Sequence, residues 1–302
     1  MRRVGRWSQR VAQALAPALL ATAIGSSATA VSLPARSGPQ LAQRVAQTLP
    51  TSLSQVAPSP SLASAVAPPA RAKVAPLVVV GLGDSVPLGR ACNCVSYVSL
   101  TAQRLGSLQR RPPFLYNYAA SGATSDDVWE LLRNSTEVGR QIRASDLVVI
   151  EVGANDFDEA LAYDQRCQPA GSSSCYASTL RRVRINLTQI VKAIRAVQTK
   201  PNARVVLVGY WNVFRDGAVG RAQGLAYTSG SDEVTQALNE RLRQLTAIRG
   251  VLYADAYTPF KGDGSKDATP FLAPDADHPN AAGHALLTAS VMAALGRAAA
   301  TV

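Results

Sequence analysis

No acidic side chain occurs in residues 1–75, which carry eight basic ones, so most of the net charge of +11 belongs to that segment and only +3 to residues 76–302. The globular part therefore lacks the strongly basic surface that a phosphate backbone requires, and no nucleic-acid partner is expected. Histidine is nearly missing: His278 and His284 are the only two, and neither lies near a cysteine in sequence, so no metal site and no cofactor is expected. Four cysteines are too few for a miniprotein built on disulfides. The first apolar run, Val11 to Ile24, falls short of the ~20 residues that a membrane-crossing helix needs, and no later run reaches that length. What remains is 47% hydrophobic residues, enough to bury a sizeable core.

Arg2, Arg3, Arg6 and Arg10 precede that short apolar run, and Ala28-Thr29-Ala30 follows it with small residues of the kind a signal peptidase reads. Residues 1–30 are thus expected to be a signal peptide and the protein to be secreted, with no integral membrane segment in the mature chain; a retained signal-anchor is the alternative. Residues 31–75, rich in Ala, Ser and Pro and free of aromatics, are expected to be a linker or propeptide. Export suits an even number of cysteines. Three pairings are open. Cys167 with Cys175 closes a short Gly/Ser loop, which leaves Cys92 with Cys94; cross-paired or unpaired thiols are the alternatives.

From residue 76 the pattern changes. Leu77-Val78-Val79-Val80 is a continuous apolar run of the kind a strand buried on both faces requires, and similar runs recur at Phe114–Tyr118, Leu147–Val152, Val205–Val208 and Val251–Ala254. Between them, Leu180, Val183, Leu187, Ile190, Ile194 and Val197 recur at helical spacing, as do Val234, Leu238, Leu242, Leu245 and Ile248. Shorter helices are expected near Val95–Leu108 and Ser125–Leu132, and a last one from Pro279, whose missing N–H suits a first turn. Such alternation predicts one α/β domain over residues 76–302, with a five-stranded parallel sheet between two helical layers and any site at the carboxyl ends of the strands.

Four segments lie where such a site would form. Gly83-Asp84-Ser85 can place a serine hydroxyl at the start of a helix. Gly122, within Ala120–Thr124, lets backbone approach a substrate and present its N–H. Gly153-Ala154-Asn155-Asp156 carries an amide that could donate to a developing oxyanion. Asp275, three residues before His278, can curl back within one turn to bond the imidazole; Asp277, the direct neighbour, is less able to. His284 falls within the last expected helix and is read as a packing or hydrogen-bonding residue. Each segment alone is ordinary loop chemistry; the four in this order are not.

Their order and spacing resemble the SGNH hydrolases, also called the GDSL family of esterases and lipases, over about residues 76–297. The resemblance implies a flavodoxin-like three-layer α/β/α sandwich. It assigns Ser85 as nucleophile, His278 as general base and Asp275 as its orienting carboxylate, with the Ser85 and Gly122 N–H groups and the Asn155 side chain as oxyanion hole. The α/β-hydrolase elbow does not fit, because Pro87 stands where it needs glycine. The expected function is hydrolysis of carboxylic esters through an acyl-serine, in a monomer of lipase/esterase type. The alternatives are a carbohydrate O-acetyl esterase and a catalytically silent binding module; the substrate would be a small-molecule, lipid or acylated-carbohydrate ester. Selection would come from loops such as Phe157–Ser178 and Asp216–Gly230, where Tyr163, Tyr176, Trp211, Phe214 and Tyr227, in or near them, are candidates either to line the site or to pack behind it.

Overall fold

The five apolar runs form five parallel strands: β1 (Leu77–Gly83), β2 (Pro113–Asn117), β3 (Leu147–Glu151), β4 (Arg204–Val208) and β5 (Val251–Ala254), in the order β2-β1-β3-β4-β5. The computed structural model describes residues 74–163 and 175–300. The expected signal peptide, nearly all of the expected linker, and Cys167 lie outside the described residues.

Strand residues alternate between two cores. Val80, Leu82, Val148, Ile150, Val205 and Leu207 face one side of the sheet, whereas Leu77, Val79, Leu147, Val149, Val206 and Val208 face the other. All are essentially without solvent contact, and burying a side chain of this size contributes roughly 1.5–3 kcal/mol. That two-sided burial is why the runs are continuous rather than alternating.

On the first side lie α3 (Ser125–Asn134), α4 (Thr136–Ala144), α5 (Ala177–Val197) and α7 (Leu225–Gln244); on the second lie α2 (Tyr97–Gln109), α8 (Tyr257–Lys261) and α9 (Ala281–Ala300). Two short helices complete the set, α1 (Ser85–Leu88) and α6 (Gly217–Ala222). The first expected helix starts two residues late because Ser96 caps it, its hydroxyl accepting from Ser99 N–H.

The last helix also differs from expectation. Pro279 is not in its first turn but in an isolated antiparallel bridge with Leu272, where Ala273 N–H donates to His278 O and Asn280 N–H to Phe271 O. That pairing holds the chain extended through Pro279, and Asn280 becomes the cap, its side-chain oxygen accepting from Ala282 and Gly283 N–H at 2.9 and 3.1 Å.

At the amino end of the sheet Asp146 gathers Val78 N–H (2.8 Å), both Arg111 terminal nitrogens (3.0 Å each) and Lys200 Nζ (2.7 Å). Arg111 also donates to Ala75 O and Pro76 O, fastening the point where the chain enters β1.

Candidate active site

β1 presses against β3 as it ends. Gly83 has φ +135, and a Cβ there would stand 1.9 Å from Glu151 O, so only glycine fits. Asp84 N–H then donates to Glu151 O, and the Asp84 carboxylate caps α1 by accepting Val86 N–H at 3.0 Å. Ser85 is the first residue of that helix, half-buried on the wall of a cavity of about 380 Å³.

Beyond β2 the chain continues alongside β1, Tyr118 and Ala120 N–H donating to Gly81 O and Gly83 O, before turning at Gly122 (φ +77). β3 ends in Gly153 (φ +136) and a 3-10 turn, Ala154–Asp156. Asp156 anchors this turn: its carboxylate accepts Ser125 N–H and hydroxyl at 2.8 and 2.7 Å. Asn155 thereby faces the cavity, one amide hydrogen donated to Ala123 O at 3.1 Å. That bond ties the amide to the Gly122 turn, although Gly122 itself is not a lining residue.

Asp275 holds the next segment. One oxygen accepts the backbone N–H of Asp277 (3.1 Å) and of His278 (3.0 Å), and the other meets His278 Nδ1 at 2.8 Å. Burial pushes the Asp275 carboxyl up, yet those bonds outweigh it and leave it below the usual carboxylate value. Asp277 stands farther from the ring, 3.9 Å from Nδ1, and is lifted by burial and by its neighbours Asp275 and Glu159. Ser85, Asn155, Asp275 and Asp277 all line the one cavity. His278 is not itself a lining residue; it is bonded to Asp275, which is.

The rest of the wall is residues 210–215, which follow β4, together with Asp84, Val86, Ala154, Phe157 and Glu159. Of the two loops expected to select substrate, the first contributes Phe157 and Glu159, whereas Asp216–Gly230 lines none of this cavity; the wall stops at Arg215. Glu159 accepts from Arg215 Nε (3.1 Å) and from Tyr227 hydroxyl (2.7 Å). Trp211 and Phe214 line the cavity as expected. Tyr176 and Tyr227 instead pack behind Phe214, with ring centroids 5.9 and 6.5 Å from it, and the Tyr163 side chain lies outside the described residues. Apart from Trp211 and Phe214, the wall after β4 was not legible in the sequence, because Gly209-Tyr210-Trp211-Asn212 holds no serine, histidine or carboxylate; the general tendency of sites to form at strand ends was the signal that could have found it.

Two of the cysteines follow Ser85 closely in sequence. Cys92 and Cys94 are bonded to each other, their Cα atoms 5.0 Å apart, and Cys175 is also disulfide-bonded. Contrary to the separation in sequence, His284 comes within 4.8 Å of the Cys92 and Cys94 sulfurs. The three do not suit a metal as they stand. The sulfurs are spent on each other, and His284 Nδ1 accepts Tyr97 N–H at 3.3 Å. His284 is thus a buried hydrogen-bonding residue of α9, and burial lowers its pKa to about 4.

Residues 82–286 match the model of the GDSL-like lipase/acylhydrolase family. No curated protein matches the chain. Among solved structures, a lipase from a goat rumen metagenome is 19% identical with a TM-score of 0.61, the match covering 72% of this chain and 97% of that one. A catalytic mutant of an acetylxylan esterase from Geobacillus stearothermophilus is 17% identical with a TM-score of 0.52, covering 74% and 97%. At such identities the likeness is one of fold.

Proposed function

The chain belongs to the GDSL-like lipase/acylhydrolase family and is a carboxylic ester hydrolase, and from that premise we propose that it is an exported esterase of short acyl esters working through an acyl-serine on Ser85. The observation that carries this reading is convergence: Ser85, Asn155 and Asp275, from three distant stretches of chain, line one cavity, with His278 bonded to Asp275.

The Asp275 bond places the proton of neutral His278 on Nδ1 and leaves the Nε2 lone pair as the base. His278 would take the Ser85 proton as the hydroxyl attacks the ester carbonyl, and Asp275 would stabilise the imidazolium that forms. Charge growing on the carbonyl oxygen would be met by the backbone N–H groups of Ser85 and Gly122. The second amide hydrogen of Asn155, not used by Ala123, would be the third donor. His278 then protonates the leaving alcohol, and water activated by the same ring releases the acid.

The cavity is small, which favours a short acyl group over a long chain. A second reading, a carbohydrate O-acetyl esterase, draws support from the polar side chains of Asn212, Glu159, Arg215 and Asp277 on its wall, which suit a polyhydroxy alcohol. Export rests on the basic and apolar pattern of residues 1–30, and amino-terminal sequencing of the mature protein tests it.

The deciding experiment compares p-nitrophenyl esters of increasing chain length with acetylated xylo-oligosaccharides, using wild type and Ser85→Ala. Turnover should fall steeply beyond short acyl groups and vanish in Ser85→Ala. A preference for long chains would overturn the substrate assignment, and substantial activity in Ser85→Ala would overturn the nucleophile. A strong preference for acetyl on sugar would select the second reading.

A further inference from the structure

One helix templates the cavity wall from behind. Ser231, Thr235 and Asn239 recur every fourth residue along α7, all fully buried, and each bonds a residue of the segment after β4. Asn212 Nδ2 donates to Ser231 Oγ at 3.2 Å, Val213 N–H to Thr235 Oγ1 at 3.0 Å, and Tyr210 N–H to Asn239 Oδ1 at 2.9 Å. Asn239 Nδ2 returns a bond to Tyr210 O at 2.8 Å. Polar groups on the buried face of a helix are costly unless bonded. Here every one of them is committed to the same short stretch of wall.

This ladder ends beside the serine. Tyr210 hydroxyl donates to Asp84 Oδ2 at 2.5 Å, while Asp84 Oδ1 accepts Val86 N–H. The serine helix α1 has four residues and cannot hold its orientation alone. Its attachments do so: the Asp84 cap at one end and Asn117 Nδ2 donating to Pro87 O at the other.

We propose that Asp84 and Tyr210 are positioning residues, a buried hydrogen-bonded joint that locks the helix bearing Ser85 to the wall templated by α7. The proposal rests on the reading of Ser85 as nucleophile. The joint fixes the distance between attacking oxygen and acyl pocket without either side chain entering the reaction.

Titratable groups face Asp84 from every neighbouring element: Glu151 on β3, Tyr97 on α2, Tyr210 after β4, and Asp277 and His278 before α9. Burial lifts the Asp84 carboxyl to about 6, and the Tyr210 hydroxyl restrains that rise. An ionised Asp84 accepts from both partners. Removing the phenol therefore raises the pH below which the cap weakens.

The test compares wild type, Tyr210→Phe, Asp84→Asn and Ser85→Ala on a short p-nitrophenyl ester, with urea melts confirming folding. Tyr210→Phe keeps the ring and loses one bond to a carboxylate. It should lower kcat on the order of 10-fold, leave KM within about twofold, and move the acid limb of kcat to higher pH. Asp84→Asn retains an oxygen for Val86 N–H and can donate to Tyr210 Oη. It should lose less kcat than Tyr210→Phe, and adding Tyr210→Phe to Asp84→Asn should leave the acid limb where Asp84→Asn alone puts it. A Tyr210→Phe enzyme with unchanged kcat and pH profile beside an inactive Ser85→Ala overturns the joint alone. Activity in Ser85→Ala overturns the nucleophile and the joint with it. Should Tyr210→Phe not fold, Asp84→Asn decides: a wild-type kcat and pH profile overturn the proposal.

Discussion

Asn155 has two amide hydrogens and, among the described residues, one bonded acceptor, Ala123 O, so it reaches the cavity already oriented. In the proposed mechanism, removing it takes away a donor aimed at charge that exists only in the transition state. Asn155→Ala should lower kcat about 100- to 1,000-fold with little change in KM, as steady-state kinetics on a short ester would measure; an effect confined to KM would remove Asn155 from the oxyanion hole. The residues of the candidate site that were legible in sequence are those carrying distinctive chemistry in a short segment: Ser85, Asn155, Asp275 and His278. Tyr210 was not, because its part is played by a hydroxyl that finds Asp84 across 126 positions. The nearness of His284 to Cys92 and Cys94 was hidden for the same reason: it depends on how α9 crosses α2, which no local pattern encodes.

Strands were the most legible elements, since double-sided burial writes itself as uninterrupted Val, Leu and Ile. Helices with one broad apolar stripe followed. α4 escaped notice because only Val138 and Ile142 reach the core, and its start depends on Ser135 accepting from Val138 N–H. The final helix began later than its proline suggested because a bridge partner, Leu272, was claimed from outside the segment. The contact between β1 and β3 offers a sharp check on how tightly these elements close. Gly83→Ala forces a side chain into Glu151 O at an unfavourable φ, and should cost about 3 kcal/mol or more. Urea denaturation would measure it; a loss below about 1 kcal/mol would mean that the strand ends are not so closely pressed.

The folded domain is held at its amino edge by one partly buried carboxylate. Burial raises the Asp146 carboxyl, but hydrogen bonds from Arg111, Lys200 and Val78 N–H outweigh it and set the folded value below the ordinary one. A depressed folded pKa gives stability that is present above about pH 4 and lost as pH falls through the folded value. Asp146→Asn should therefore destabilise by about 1–2 kcal/mol at neutral pH, a modest figure because solvent screens part of the network. Its deficit against wild type should shrink at pH 3, as paired urea titrations would reveal; a deficit independent of pH would mean that charge is not what Asp146 contributes.

Leu77 at the start of β1 and Leu295 and Ala298 near the end of α9 border the same hollow at this edge, opposite the carboxyl ends of the strands. Both ends of the described domain thus lie on the side away from Ser85. An immobilisation tag placed at residue 74 would therefore attach on the face away from the cavity that Ser85 lines.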